Sequence, residues 1–189
     1  MRGHAKSIVP PQSHADTLCD GIFLKHSLLS LRPQESSDEA FLDTLLRDEC
    51  GDAYDRLDPS RALLDALIQS QRRGEKERIA IRHRACESLI LMKGTAPIGR
   101  LTLAREVTEF GSCLRIVDIA ILRYHQSRGY GRSILCDLVD SGRRMGFHRI
   151  NATVFSANDV FIKLLKAIGF RAMGTLSPTS CQALMFPLP

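Results

Sequence analysis

The apolar residues of this 189-residue chain change period twice, and each change marks a change of element. Phe41, Leu42, Leu45 and Leu46 form an i, i+1, i+4, i+5 face behind the cap residues Ser36, Ser37 and Asp38, which predicts a helix. Asp58 and Pro59 offer a cap and a first-turn proline to a second helix, in which Leu63, Leu64, Leu67 and Ile68 repeat that face until Gly74. The period then shortens. Ser88 to Met92, Ile98 to Leu103 and Cys113 to Leu122 are short apolar segments parted by the turn-formers Lys93-Gly94 and Phe110-Gly111, so consecutive antiparallel strands are expected. Helical spacing returns with Ile134, Leu135, Leu138, Val139 and Met145, closing at Gly146. A strand follows at Arg149 to Phe155, then a helix from Asn158 through Phe161, Leu164, Leu165 and Ile168 to a Gly169 cap. Phe170 to Met173 and Ala183 to Phe186 complete a hairpin, and His26 to Leu31 reads as a first strand stopped by Pro33.

Residues 1–22 mix Pro, Ser, His and small residues without periodicity and read as a flexible tail, which leaves 23–189 as a single domain of ordinary size. Hydrophobic residues at 44% and charged residues at 25% fit a soluble globular protein, and no apolar run reaches the roughly 20 residues that span a bilayer. The early residues lack the apolar stretch of a secretion signal, so a cytoplasmic location is expected. The six cysteines are far apart and form no C-x-x-C pair, which points to reduced thiols and no metal site. The formal charge of +5 favours anionic ligands. Aromatic residues at 6%, no Trp, and no basic stripe with interleaved aromatics argue against nucleic acid.

The chemistry gathers where the third apolar strand meets the next helix. Ile119-Ala120-Ile121 is followed by Gln126-Ser127-Arg128-Gly129-Tyr130-Gly131-Arg132, and the helix opens at once. A helix start exposes unpaired N–H groups and the positive end of the dipole, so a turn entering one suits a pyrophosphate. Gly129 and Gly131 let the backbone approach a ligand or adopt positive φ, and Arg128 and Arg132 add charge.

This turn resembles the R/Q-x-x-G-x-G/A signature of the GNAT acyltransferases, and Asn158 followed by Gly169-Phe170 is similar to a second signature of that family. The resemblance covers about residues 86–173 and implies an α/β fold of mixed α+β type. Its central sheet of six to seven strands would be mostly antiparallel, splayed at the cofactor site and flanked by about four helices. It also implies that acetyl-CoA lies in the splay. Backbone groups of Ile119 and Ile121, on either side of Ala120, would pair with the pantetheine arm, amides from Gln126 to Arg132 would hold the pyrophosphate, and Asn158 would reach the pantetheine. Asn158 serves equally well as a helix N-cap. The implied activity is transfer of acetyl to a primary amine of a small molecule, peptide or protein; homodimers are common in the family.

Two positions depart from the pattern. Where many members carry a tyrosine that protonates the departing thiolate, this chain has Leu165, which cannot donate a proton. A catalytically weak or silent acyl-CoA-binding module is therefore the alternative. Relatives often place a base near Arg115; here the candidate is Asp118, an acid in an apolar strand, which could equally pair with Arg115 or Arg100. His125 is read as a loop cap and His83 as part of a solvated basic face.

Overall fold

The computed structural model describes residues 17–55, 60–82, 86–109, 111–173 and 181–188. His83, the Asp58-Pro59 cap and Phe110 of the expected turn lie outside the described residues. Seven strands form one sheet: β1 (Leu29–Pro33), β2 (Cys86–Lys93), β3 (Ala96–Thr108), β4 (Gly111–Ile121), β5 (Arg149–Phe155), β6 (Arg171–Ala172) and β7 (Cys181–Pro187). They lie in the order β1-β2-β3-β4-β5-β7-β6. All neighbours are antiparallel except β4 and β5. The helices are the single turn α1 (Leu18–Gly21), then α2 (Glu39–Asp55), α3 (Arg61–Arg82), α4 (Tyr130–Arg144) and α5 (Asp159–Ile168).

Strand β1 lies two or three residues later than its pattern suggested. His26 starts a turn, its carbonyl accepting from Leu29 N–H at 2.9 Å, and Leu28 is left 54% exposed. Pro33 ends the strand from inside, opposite Leu89. That is tolerable because β1 is an edge strand, where a proline removes no ladder bond on its open side. Helix α3 does not stop at Gly74 but runs on to Arg82. A helical glycine costs about 1 kcal/mol, and Glu75, Lys76, Glu77 and Arg78 are favourable helix formers that carry the pattern past it. Strand β3 extends past Leu103 because it keeps pairing with β4 as far as Thr108 opposite Gly111, after β2 has ended at Cys86 opposite Ala104.

The end of the expected tail is packed. Leu18 is 1% exposed, and the Glu87 carboxylate accepts from the N–H groups of Leu18 and Cys19 at the first turn of α1. Phe23 N–H then donates to Ser141 Oγ and Lys25 N–H to the buried Asp137 carboxylate, so residues 23–25 are laced to α4. Residues 18–25 are thus tied to β2 and to α4.

Two apolar clusters lie on the sheet. The larger joins α1, α4 and α5 to the strands through Leu18, Leu103, Leu114, Ile134, Leu138, Ile150, Ile162 and Leu165. The smaller joins α2 to the other face through Leu42, Leu45, Ile90 and Ala120. Helix α3 is clamped to α2 by the buried Arg72, which bonds Asp43 at 2.5 Å and Glu39. A turn at Ser36–Asp38 precedes α2, where the buried Asp38 accepts from Glu35 N–H and from both terminal nitrogens of Arg32. All six cysteines are free thiols.

Two predictions follow from the packing. A Cβ on Gly99 would sit 2.3 Å from the backbone oxygen of Ala120, inside the β3–β4 ladder where nothing can yield. Gly99→Ala is expected to destabilise the protein by about 1–3 kcal/mol in urea unfolding. The Arg32 hydrogen bonds hold the Asp38 carboxyl below its ordinary range. Its folded pKa is depressed, so its stabilisation is complete above the unfolded pKa of about 4 and fades as pH falls through the folded value. Asp38→Asn should cost about 1–3 kcal/mol at pH 7 and less at pH 3, measured as the gap between the two unfolding curves.

Candidate functional site

The site begins with one extra residue in β4. Thr102 lies opposite Asp118, but the next residue, Leu103, lies opposite Ile116, so Val117 is left without a partner on β3. Such a bulge reverses the in-and-out alternation beyond it. Before the bulge Leu114 and Ile116 face the α4 core; after it Ile119 and Ile121 do, while Ala120 joins the α2 cluster. Without the extra residue Asp118 would point into the apolar α4 core. With it, the carboxylate reaches Arg100 on the α2 side, accepting from Nε and Nη2 at 2.9 Å each.

Next to the bulge the sheet comes apart. Strands β4 and β5 pair only from Cys113 opposite Arg149 to Ile116 opposite Ala152. Beyond that point β5 continues against β7 and β4 against β3, so β4 presents an edge with no strand beside it among the described residues. Leu122 N–H donates to Ile98 O on the β3 side at 2.9 Å. By the alternation of an antiparallel ladder, Ala120 and Leu122 bond to β3, while the N–H and C=O groups of Ile119 and Ile121 point to the open edge. The Ile121 carbonyl there accepts from Gln126 Nε2 at 2.6 Å.

A one-turn 3-10 segment, Arg123–His125, leads from this edge to α4. Asp48 on α2 anchors it by accepting from Arg123 N–H at 2.5 Å. Ser127 has φ +56 and Gly129 φ +82, left-handed conformations that reverse the chain into the helix. A Cβ on Gly129 would meet nothing within 4 Å, so φ and not space favours glycine there; at Gly131 a Cβ would make ordinary contact with Leu164. Helix α4 starts without a capping side chain and without an acid in its first turn. Its first internal bond runs from Ser133 N–H to Gly129 O, so the N–H groups of Tyr130, Gly131 and Arg132 precede the helical ladder. The exposed Arg128 and Arg132 flank this positive end, with the Arg128 guanidinium 4.8 Å from the Tyr124 ring. Cations at a helix N-terminus cost about 0.3–1 kcal/mol each, an arrangement that favours an anion in front of the amides.

Aromatic residues support the turn from behind. Tyr130 is buried, with His26 edge-on at 5.4 Å and Lys93 5.6 Å from its ring. His125 is partly covered between Tyr124 and Tyr130. Burial, then the charges of Lys93 and Arg128, push its imidazole below the ordinary histidine pKa. Its Nδ1 is buried without a hydrogen-bond partner among the described residues. His125 N–H bonds Leu122 O, but its side chain caps nothing among the described contacts. The loop-cap reading therefore holds for its backbone and not for its ring.

The structure thus brings Ile119, Ala120, Ile121, Gln126, Ser127, Arg128, Gly129, Tyr130, Gly131 and Arg132 into one continuous turn beside the open edge. Asn158 caps α5, its Oδ1 accepting from Phe161 N–H at 3.1 Å. Leu165 is fully buried in the larger core. A second ion pair, Arg115 with Glu106 at 2.5 Å, lies on the face that carries Asp118. Sequence reading passed over Asn151 of β5, 7% exposed with its Oδ1 unpartnered among the described residues. Its signal was the one that marked Asp118, a polar residue inside an apolar strand. Lys93 and His26 were missed for lack of any signal, because only the fold brings them to Tyr130.

Comparisons with known proteins agree with this geometry. A model of the Acetyltransferase (GNAT) family matches residues 42–170, more than half of the chain. No curated protein matches significantly. Among solved structures, yncA of Salmonella typhimurium, bound to its cofactor acetyl-CoA, is 15% identical with TM-score 0.53, covering 86% of this chain and 95% of its own. A chimera of Vibrio cholerae spermidine N-acetyltransferase SpeG and hSSAT is 18% identical with TM-score 0.58, covering 85% and 96%. Arabidopsis thaliana Naa50, bound to the bisubstrate analogue CoA-Ac-MVNAL, is 15% identical with TM-score 0.55, covering 85% and 99%. Identities this low speak for the shared fold; the family model, the glycine turn and the splayed β4 edge together establish that the chain belongs to the GNAT acetyltransferase family.

Proposed function

We propose that this protein is an N-acetyltransferase that binds acetyl-CoA along the open edge of β4 and transfers the acetyl group to a primary amine. The observation that carries the reading is the uncapped start of α4, flanked by Arg128 and Arg132 and lying just beyond the stretch of β4 where Ile119 and Ile121 have no strand beside them among the described residues. A pyrophosphate in front of the Tyr130, Gly131 and Arg132 amides would satisfy the helix end and neutralise both arginines. From there a pantetheine arm can run along β4 as an added strand, its amides meeting the Ile119 and Ile121 groups, with Gln126 yielding the Ile121 carbonyl.

Acetyl-CoA supplies an activated thioester, and the residues of this chain position it. The amine nitrogen attacks the acetyl carbon, a C–N bond forms, the C–S bond breaks, and CoA leaves as a thiolate while the nitrogen sheds one proton. The N–H groups at the open edge near Ile121 are donors for the developing oxyanion. Asp118 is the base in this reading: among the described contacts Arg100 Nε and Nη2 meet its Oδ2, and Oδ1 takes the proton directly or through water. The burial of Leu165 leaves thiolate protonation to solvent. The same burial favours the second reading, a module that holds acyl-CoA without turning it over. Amine acceptors suit the fold, since SpeG is a spermidine N-acetyltransferase and Naa50 is captured with CoA joined to an acetylated peptide.

Isothermal titration should give acetyl-CoA binding that weakens as salt rises. Arg132→Ala is expected to weaken it about tenfold, one charged hydrogen bond's worth, and Gly129→Val more strongly, because a β-branched residue resists positive φ; no binding at millimolar acetyl-CoA would end the proposal. Release of free CoA on adding spermidine, a lysine peptide or a peptide with a free N-terminus separates the enzyme from the silent module, which releases none. Asp118→Asn should lower kcat about 10² to 10⁴-fold with acetyl-CoA affinity unchanged, and full turnover across pH would remove Asp118 from the base role.

A further inference from the structure

The carboxamide of Asn151 makes no hydrogen bond among the described residues, and its Oδ1 is buried without a partner. A native interior rarely leaves such a group unpaired, because the amide forfeits its water bonds for nothing. Asn151 lies in β5, where Ile150, Ala152 and Val154 face the α4 core. Its own side chain is therefore on the opposite face, that of Asp118 and Ala120. Its neighbour in the parallel register is Arg115, one pair before β4 and β5 separate at Ile116 and Ala152. On the solvent side Thr153 continues the face, its Oγ1 3.4 Å from Arg115 Nη1. The unpaired amide sits at the closed end of the splay, where the wall of the gap turns from backbone to side chains.

The cations on this face have partners, Arg149 on the same strand donating to Thr108 Oγ1 at 3.0 Å. Arg115 is held by Glu106 at 2.5 Å and Arg100 by Asp118 at 2.9 Å. Beside the Asn151 Nδ2–H donors, the face still offers acceptor capacity in the buried Asn151 carbonyl and in the carboxylates of Glu106 and Asp118. A neutral carbonyl acceptor suits a nucleophilic amine. It can take one N–H and fix the nitrogen's orientation, leaving the lone pair free for the thioester. A carboxylate in its place would favour the ammonium form, which has no lone pair to attack with.

Resting on the acetyltransferase reading above, we infer that Asn151 anchors the acceptor: its Oδ1 accepts an N–H from the amine that attacks acetyl-CoA, and it sets the position of that nitrogen at the vertex of β4 and β5. The acceptor class is then an unprotonated amine presenting an N–H to the α2 face of the sheet. Asn151 takes no proton and transfers no group: the C–N bond forms, the C–S bond breaks, and the proton the nitrogen sheds goes to Asp118 or water, as above.

Three measurements on Asn151→Leu and Asn151→Asp test this. Leucine is nearly isosteric and loses no hydrogen bond of the free protein, so Asn151→Leu should raise Tm by about 2–4 °C; a fall in Tm would show a structural amide and overturn the inference. Acetyl-CoA affinity by titration should stay within about twofold of wild type, whereas kcat/KM for whichever amine of spermidine, a lysine peptide or a free-N-terminus peptide the wild type acetylates should fall about tenfold or more. Unchanged kcat/KM would also overturn it. Asn151→Asp keeps an acceptor oxygen and should retain more turnover than leucine, with its pH profile displaced to higher pH; an unshifted profile counts against the anchor. Wild-type protein that binds no acetyl-CoA, or binds it and acetylates none of the amines, would instead fail the acetyltransferase reading, and the Tm shift would still judge whether Asn151 is spared from a structural role.

Discussion

The site depends on how briefly β4 and β5 stay together. They pair over Cys113–Ile116 and Arg149–Ala152, and this short parallel ladder joins the two halves of the sheet. Past it β4 turns away with a bulge at Val117. A longer ladder would have satisfied Ile119 and Ile121 with β5 and left no edge for a ligand. The bulge also decides which residues the gap can use, because it turns Ile119 and Ile121 inward and returns Asp118 to the α2 face. The extra residue leaves Val117 without a partner on β3, and from it follow both the open edge and the direction of the only carboxylate in the second half of β4.

Where local stability and ligand binding pull apart, the chain favours the ligand. A helix as amphipathic as α4, with Ile134, Leu135, Leu138 and Val139 all buried, would ordinarily begin with Ser, Thr or Asp and an acid in the first turn. It begins with a left-handed glycine between two arginines. Helix α5 shows that the chain can do otherwise, since Asn158 caps it and Asp159 occupies its first turn. Two helix starts in one fold obey opposite rules. The proposed pyrophosphate in front of α4 accounts for the difference.

Much of this fold was legible because its elements carry their signal locally. The helices α2, α4 and α5 and the strand Arg149–Phe155 were set by spacing and caps, and burial agreed with the spacing. The errors arose where tertiary context overrode a local sign. Gly74 looked like a helix end, but its neighbours sustain the helix to Arg82. Pro33 looked like a barrier and is the last residue of an edge strand that does not need its N–H. Thr17 to Ile22 looked like tail, since nothing in those residues reveals that Glu87, nearly seventy positions away, receives the N–H groups of Leu18 and Cys19.

The two sides of the site differ in legibility for a physical reason. In the proposed complex a pyrophosphate and a pantetheine arm would be gripped by backbone N–H and C=O groups, and exposing backbone demands glycine, positive φ, a helix start and a free strand edge in a fixed order along one stretch of chain. That order is written into residues 119–132 and can be read without a structure. The proposed acceptor side is made of side chains, Arg100 on β3, Arg115 and Asp118 on β4, Asn151 and Thr153 on β5, that meet only after the sheet has formed. None of them requires a particular neighbour in sequence, so no motif records them. Their pairing is what separates them: the arginines and acids neutralise one another, and Asn151 is the polar group left over where the strands divide.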